Sequence, residues 1–193
     1  QLNDHIEKVK EATMEVLNGR PTHDFTLNES LMEEISFRSV SLKAKVVTED
    51  EKETGVRAIL NLGHTLAHAL ESYYNYNGIK HGEAVSMGII FAALISKQKG
   101  YLSHETFGRI QNLFSKLNMF GKWEDLPAFH KKNGDDIPSR PLPENLIELM
   151  RGDKKNIDEA IRFILLKGIG DYIMPQPVDI PTIRKTLEGY ICL

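Results

Sequence analysis

Residues 57–74 read RAILNLGHTLAHALESYY. Apolar residues recur in it at steps of three and four, which predicts one helix over 57–74. Four polar residues, Arg57, Asn61, His64 and His68, follow one another at steps of four, three and four. On a helix of 3.6 residues per turn they share one face. The sequence therefore predicts a polar stripe, formed by these four residues, along an otherwise apolar and largely buried helix.

The same periodicity outside this stretch predicts helices over 6–17, 31–47, 83–99 and 104–117, the last with Ser103 as its N-cap. Pro143 is predicted to open a further helix, and a final helix is expected over 181–190. One β-hairpin is expected, with strands at 161–166 and 172–174 and its turn at 168–170. The predicted fold class is mainly α: a single multi-helix domain over residues 1–193 with a small C-terminal β-hairpin.

The segment 121–143 is rich in glycine, proline and charged residues. Such a composition is typical of a surface connection with little regular structure. We expect a loop within the domain here, not a domain boundary.

Composition excludes several classes of protein. The chain has 193 residues, 24 Lys and Arg against 27 Asp and Glu, and 41% hydrophobic residues, which disfavours disorder and a basic nucleic-acid-binding protein. The single cysteine, Cys192, cannot form an internal disulfide, and no run reaches the roughly 20 apolar residues of a membrane span. We expect a cytoplasmic protein. Its start at Gln1, without a signal peptide or an initiator methionine, indicates a processed chain or part of a longer one.

The polar stripe has two interpretations. Burying two imidazoles, an amide and a guanidinium costs free energy unless each group finds a partner. The stripe is therefore either a satisfied polar network inside the core or one wall of a cleft. Four polar residues in register favour the cleft.

A further histidine, His81, stands directly before the apolar stretch 83–99. Antiparallel packing of the helices on either side of the turn at 76–78 would bring a histidine from each toward one point. Zinc binds neutral imidazole, and a catalytic zinc commonly has three protein ligands, so two histidines supply part of a site. A turn or cap histidine without metal remains the alternative for His81.

Cationic side chains form a second group of candidates. An anionic substrate beside a metal would need them, since Arg and Lys bind carboxylate and phosphate. Lys43 and the pair Lys154 and Lys155 are available, although lysines are most often solvated surface residues and composition alone assigns them no role.

Several blocks occur in a fixed order: KAKVV at 43–47, DEKETGVR at 50–57, LNLGHTLAHALE at 60–71, HGEAV at 81–85, DKK at 153–155 and GIG at 168–170. Together they closely resemble the 3-dehydroquinate synthase family, over about residues 39 to 174. Enzymes of this family have an N-terminal NAD-binding domain and a mostly helical C-terminal domain, and this sequence is similar to the second. The resemblance implies that the NAD-binding domain lies outside this sequence. Consistent with this, residues 1–193 contain no Gly-rich dinucleotide-binding motif.

The implied reaction converts 3-deoxy-arabino-heptulosonate 7-phosphate into 3-dehydroquinate and phosphate, in the shikimate pathway of aromatic amino acid biosynthesis. The implied cofactors are zinc, or another divalent cation such as cobalt, and catalytic NAD bound mainly by the N-terminal domain. The expected partners are the sugar-acid phosphate, the NAD-binding domain and a second subunit in a homodimer, without nucleic acid or membrane. The 193 residues alone are expected to be inactive.

The family's functional residues fall on positions of this sequence. His64 and His81 match its zinc-binding histidines. Lys43 and Arg57 match groups that hold the carboxylate region of the substrate, while three further residues match groups around its hydroxyl and phosphate end: Asn61, His68 and Lys154.

The family's third zinc ligand is a glutamate in a Glu-x-x-Lys motif. Glu7 has this spacing to Lys10. The alternative is that 6–17 matches the helix after the motif, which would place the ligand before Gln1.

Two other functions remain open. Other sugar-phosphate cyclases and metal-dependent alcohol or glycerol dehydrogenases resemble this architecture, but a dehydrogenase would not need the cations Lys43, Arg57 and Lys154. A non-catalytic helical interaction domain, with the stripe as a structural network, is the alternative from another class.

Overall fold

The structure is a computed structural model that describes residues 29–52, 55–76, 79–117, 119, 140–152 and 160–191. The helix predicted over 6–17 and nearly all of the loop predicted over 121–143 lie outside these residues. So do Glu7, Lys154 and Cys192.

Six α-helices and one 3₁₀ helix occur in the described part of the chain. They are α1 (Glu29–Glu49), the 3₁₀ helix (Val56–Asn61), α2 (His64–Tyr73), α3 (His81–Gln98), α4 (His104–Lys116), α5 (Pro143–Gly152) and α6 (Ile180–Ile191). Strands β1 (Ala160–Gly168) and β2 (Asp171–Asp179) form one antiparallel hairpin. The mainly helical fold with a C-terminal hairpin is therefore confirmed. Within the described ranges, no helix has both the length and the apolar character needed to cross a membrane.

Helix starts largely follow the sequence signals. The Ser103 hydroxyl accepts a hydrogen bond from the Thr106 backbone N–H at 3.0 Å, which confirms Ser103 as the N-cap of α4. Pro143 opens α5, as predicted. At α3, the Glu83 carboxylate accepts from the Lys80 backbone N–H at 2.8 Å and so satisfies a donor that the helix leaves unpaired.

The prediction of one continuous helix over 57–74 is wrong. The 3₁₀ helix ends at Asn61, α2 begins at His64, and Gly63 between them has a φ of 83°. This left-handed backbone interrupts an α-helix and is readily adopted only by glycine. The polar stripe is therefore divided: Arg57 and Asn61 belong to the 3₁₀ helix, and His64 and His68 belong to α2.

The described residues form two compact units. One contains residues up to Leu60, together with residues 116 and 117, and the other contains the rest from Asn61 onward. The hydrophobic core lies in the second unit around α3, which packs against α2, β1 and α6. Its most deeply buried large side chains are Leu66, Leu70, Met87, Phe91, Ile95, Leu146, Met150, Ile161, Leu165, Ile183 and Leu187. Each such side chain contributes about 1.5–3 kcal/mol when it is removed from water.

A buried serine fixes the hairpin to the central helix. The Ser96 hydroxyl of α3 donates to the Ala92 carbonyl at 2.6 Å and accepts from the Leu166 backbone N–H of β1 at 2.9 Å. At the start of α2, the Thr65 hydroxyl donates to the Arg162 carbonyl of β1 at 3.2 Å. These bonds hold β1 against both helices that carry the histidines.

Candidate functional site

Three imidazole rings come together between α2 and α3. His64 is the first residue of α2, His68 lies one turn later, and His81 is the first residue of α3. The ring centroid of His64 lies 5.4 Å from that of His68 and 5.3 Å from that of His81. The chain thus brings a histidine from each helix to one place.

Two glycines allow this close approach. A Cβ atom placed on Gly88 of α3 would overlap the carbonyl oxygen of Gly63. A Cβ atom on Gly63 would lie 2.8 Å from the backbone nitrogen of Ile89 and 2.9 Å from the carbonyl oxygen of Val85. The backbone before His64 therefore touches α3 directly, which only glycine at both positions permits.

The surroundings of His64 favour its neutral form. Its Nδ1 lies 3.3 Å from the Leu62 carbonyl oxygen, and because a carbonyl only accepts, Nδ1 carries the hydrogen and Nε2 the lone pair. Burial lowers the pKa of His64 below its ordinary value, and neighbouring His68 and His81 add to this, although the Leu62 bond and the Glu71 charge act in the opposite direction. Neutral imidazole is the form that binds metal ions.

His81 is held by a carboxylate from the neighbouring helix. Its Nδ1 lies 3.0 Å from Oε1 of Glu71, a residue of α2. A carboxylate accepts here, so Nδ1 of His81 carries a hydrogen, and the neutral tautomer with this hydrogen has its lone pair on Nε2. Histidines that bind metal commonly donate their other ring nitrogen to a carboxylate or a carbonyl oxygen. His64 and His81 both show this arrangement.

Glu71 and the two glycines were not among the predicted site residues. The available signal for Glu71 was its place seven residues after His64, which is two helical turns on the same face. For Gly63 and Gly88 the sequence offered glycine itself at positions where a helix was predicted.

The donor set fits a divalent metal ion in part. Two imidazoles bound to one tetrahedral zinc ion at about 2.0–2.1 Å place their ring centroids roughly 5 Å apart. The His64–His68 pair and the His64–His81 pair both satisfy this distance. We select His81 as the partner of His64 because its Nδ1 bonds the Glu71 carboxylate. Within the described ranges, no group of three or more His, Cys, Asp or Glu side chains is placed to hold a metal. His64 and His81 can therefore act as two ligands of an incomplete set.

The other predicted site residues are distributed along the chain. Lys43 is exposed on α1, and Asn61 is exposed at the end of the 3₁₀ helix. The backbone of Arg57 is fixed, since the Asp50 carboxylate accepts from its N–H at 3.0 Å and from that of Gly55 at 2.7 Å. The Arg57 guanidinium also donates to the Glu51 carbonyl at 2.8 Å.

Known proteins match this chain over most of its length. The family described as 3-dehydroquinate synthase C-terminal matches residues 6–156. The 3-dehydroquinate synthase of Methylococcus capsulatus is 40% identical over 154 residues, covering 79% of this chain and 39% of that protein. That of Helicobacter pylori is 37% identical over 159 residues, covering 82% of this chain and 42% of the relative. The chain thus spans about two fifths of the length of these relatives.

Solved structures of sugar-phosphate cyclases share the fold. A crystal structure of 2-deoxy-scyllo-inosose synthase, complexed with carbaglucose-6-phosphate, NAD⁺ and Co²⁺, matches with a TM-score of 0.64 and 25% identity, over 95% of this chain and 51% of that one. The 2-epi-5-epi-valiolone synthase of Streptomyces hygroscopicus, with NAD⁺ and Zn²⁺ bound, matches with a TM-score of 0.66 over 97% of this chain and 46% of that one; at 15% identity it supports the fold alone. The chain therefore belongs to the 3-dehydroquinate synthase family, in which it corresponds to the C-terminal domain.

Proposed function

We propose that this chain is the metal- and substrate-binding domain of a 3-dehydroquinate synthase. The whole enzyme would convert 3-deoxy-arabino-heptulosonate 7-phosphate into 3-dehydroquinate and phosphate. The observation that carries the proposal is the pair of imidazoles of His64 and His81, whose ring centroids lie 5.3 Å apart in a chain of this family. Since the chain spans about two fifths of its relatives, NAD binding is assigned mainly to a separate N-terminal domain, and the chain alone is proposed to be inactive.

His64 and His81 would hold a zinc ion, or another divalent cation such as cobalt, through Nε2. The bound metal would supply Lewis-acid polarisation of the substrate hydroxyl and carbonyl. Bound NAD would supply reversible hydride transfer without net redox change. The support from this chain is the Nδ1 bond on each ring, because the neutral tautomer with its hydrogen on Nδ1 has its lone pair on Nε2.

The remaining residues of the proposed site bind and orient the substrate. Lys43 and Arg57 would hold its carboxylate, because a guanidinium and an ammonium bind carboxylates by charge-assisted hydrogen bonds. Asn61, His68 and Lys154 would bind the hydroxyl and phosphate end. The bonds of Asp50 to the Arg57 backbone support this role, since a fixed backbone reduces the entropy lost when a substrate is oriented.

The direct test is a turnover assay of the whole enzyme that contains this domain. With the heptulosonate phosphate as substrate, we expect equal amounts of phosphate and 3-dehydroquinate. Arg57→Ala should lower kcat/KM by about 10- to 100-fold, since a hydrogen bond to a charged group contributes about 1.5–3 kcal/mol. Arg109→Ala, which removes an exposed arginine of α4, is the matched control and should leave kcat/KM unchanged. Absence of phosphate release by the wild type would refute the proposal.

A related cyclase activity is the second candidate. It is favoured by the similarity to 2-deoxy-scyllo-inosose synthase, whose solved structure holds carbaglucose-6-phosphate. Glucose 6-phosphate is therefore a second substrate to assay. Turnover of glucose 6-phosphate instead of the heptulosonate phosphate would assign the chain to that activity. Oxidation of an alcohol without phosphate release would indicate a dehydrogenase. Absence of both metal binding and turnover would indicate an interaction domain.

A further inference from the structure

A buried carboxylate lies beside the paired histidines. Among the described residues, Glu71 is the charged residue that falls in the buried class, and its side chain is 11% exposed. Burying a carboxylate costs several kcal/mol unless it is paired and hydrogen-bonded. Within the described part of the chain, its side-chain partner is Nδ1 of His81. A charge is thus kept in the interior and directed at one imidazole.

Two contacts of the His81 ring, with Glu71 and with His64, come from a single helix. His64 and Glu71 lie seven residues apart on one face of α2, and His81 reaches them from the first turn of α3. The His81 side chain itself is 59% exposed, so packing alone does not fix its ring. The orientation of His81 therefore depends on the bond to Glu71 and the contact with His64.

We propose that Glu71 is a positioning residue for a divalent cation. Its carboxylate holds the Nδ1–H of His81, which fixes the tautomer and turns Nε2 toward the cation that His64 also binds. This inference rests on the proposed function, because it needs His64 and His81 to be metal ligands. A carboxylate in this place also raises the basicity of the imidazole, and loss of such a partner typically weakens metal binding by about 10- to 100-fold.

A merely structural role for Glu71 predicts a different result. Removing one partner of a charged pair is costly when the other partner is left buried. The partner left by Glu71→Leu is His81, whose side chain is 59% exposed and can bind water instead. Glu71→Leu should therefore remain folded while it loses the acceptor for Nδ1–H. Glu71→Gln keeps an oxygen acceptor of the same size and lacks only the charge. If the carboxylate only filled space, both variants would bind metal like the wild type.

The experiment is a titration of the metal-free whole enzyme with Co²⁺ alone, followed by the visible absorption of the bound ion. We expect Glu71→Leu to bind Co²⁺ about 10- to 100-fold more weakly than the wild type, with a changed spectrum, and Glu71→Gln to lie between them. Glu144→Gln, which alters an exposed carboxylate paired with Arg184, is the matched control and should bind as the wild type does. Circular dichroism and thermal unfolding of the metal-free proteins establish that each variant is folded.

The outcomes separate the two claims. If the wild type binds Co²⁺, His64→Ala abolishes this binding, and folded Glu71→Leu retains the wild-type affinity, the role of Glu71 is refuted and the proposed function stands. If the wild type binds no Co²⁺, or His64→Ala binds it equally well, both claims fail. Should Glu71→Leu not fold, Glu71→Ala removes the same acceptor without adding bulk. Weaker Co²⁺ binding by folded Glu71→Ala would then support the role of Glu71, and wild-type affinity would refute it.

Discussion

At the scale of single residues, the ionisation of His64 is the property that matters most for the proposed metal site. Burial disfavours its charged form more strongly than the Leu62 carbonyl and the Glu71 charge favour it. A metal ion competes with a proton for the same nitrogen, so a lowered pKa keeps that nitrogen available at neutral pH.

A pH titration tests this directly. We predict that the imidazole signal of His64 in the NMR spectrum of the metal-free protein titrates below the ordinary pKa of 6.5. The unfolded chain then takes up a proton before the folded chain does, so His64 lowers stability as the pH falls through 6.5 toward its folded pKa. Comparison with His64→Gln assigns the signal. A midpoint at or above 6.5 would show that burial does not lower the pKa of His64.

Residue roles were only partly predictable from the sequence. His64 and His81 could be proposed as a pair because both are polar residues next to apolar helical patterns. Its spacing places Glu71 on the same helical face as His64, but periodicity contains no information on which side chain a carboxylate will meet, and its bond is to a residue ten positions away. Its burial beside His81 becomes visible only in three dimensions.

At the scale of elements, the contact between Gly63 and α3 sets the distance between the helices that carry the histidines. The backbones of Gly63 and Gly88 lie closer together than a side chain at either position would allow. The periodicity of apolar residues correctly predicted most helices and the hairpin, because these depend on local spacing. The predicted helix over 57–74 was wrong at Gly63, where the backbone is left-handed and touches Gly88 of α3. Local spacing contains no information on this contact with a residue far along the chain.

A pair of glycine substitutions measures this contact. Gly88→Ala should lower the free energy of unfolding by about 1–3 kcal/mol, because the added methyl group overlaps the Gly63 carbonyl and the helices must separate. Gly108→Ala in α4 is the matched control, since a Cβ atom there meets nothing within 4 Å. It should raise stability by up to about 1 kcal/mol through higher helix propensity.

Urea denaturation of the metal-free proteins gives the free energies of unfolding of Gly88→Ala and Gly108→Ala. The two substitutions add the same methyl group to a helix, so their difference isolates the helix contact. Equal stability of Gly88→Ala and Gly108→Ala would show that α2 and α3 can separate without cost.

At the scale of the whole molecule, the chain forms one part of a proposed larger enzyme. The described residues bring His64 and His81, the two proposed metal ligands, together, and the family match over 6–156 places them in a family whose relatives are more than twice as long. Family membership was predictable from the ordered blocks in the sequence. The complete ligand set was not, because Glu7, the candidate third ligand, lies outside the described residues.

His64 and His81 are proposed to bind one metal ion, and metal analysis of the purified whole enzyme measures this binding. We predict about one zinc ion per chain in the wild type, and its loss in folded His64→Ala and in folded His81→Ala. His104→Ala, which removes an exposed histidine at the start of α4, should keep its zinc. Full zinc content in folded His64→Ala or His81→Ala would contradict the claim.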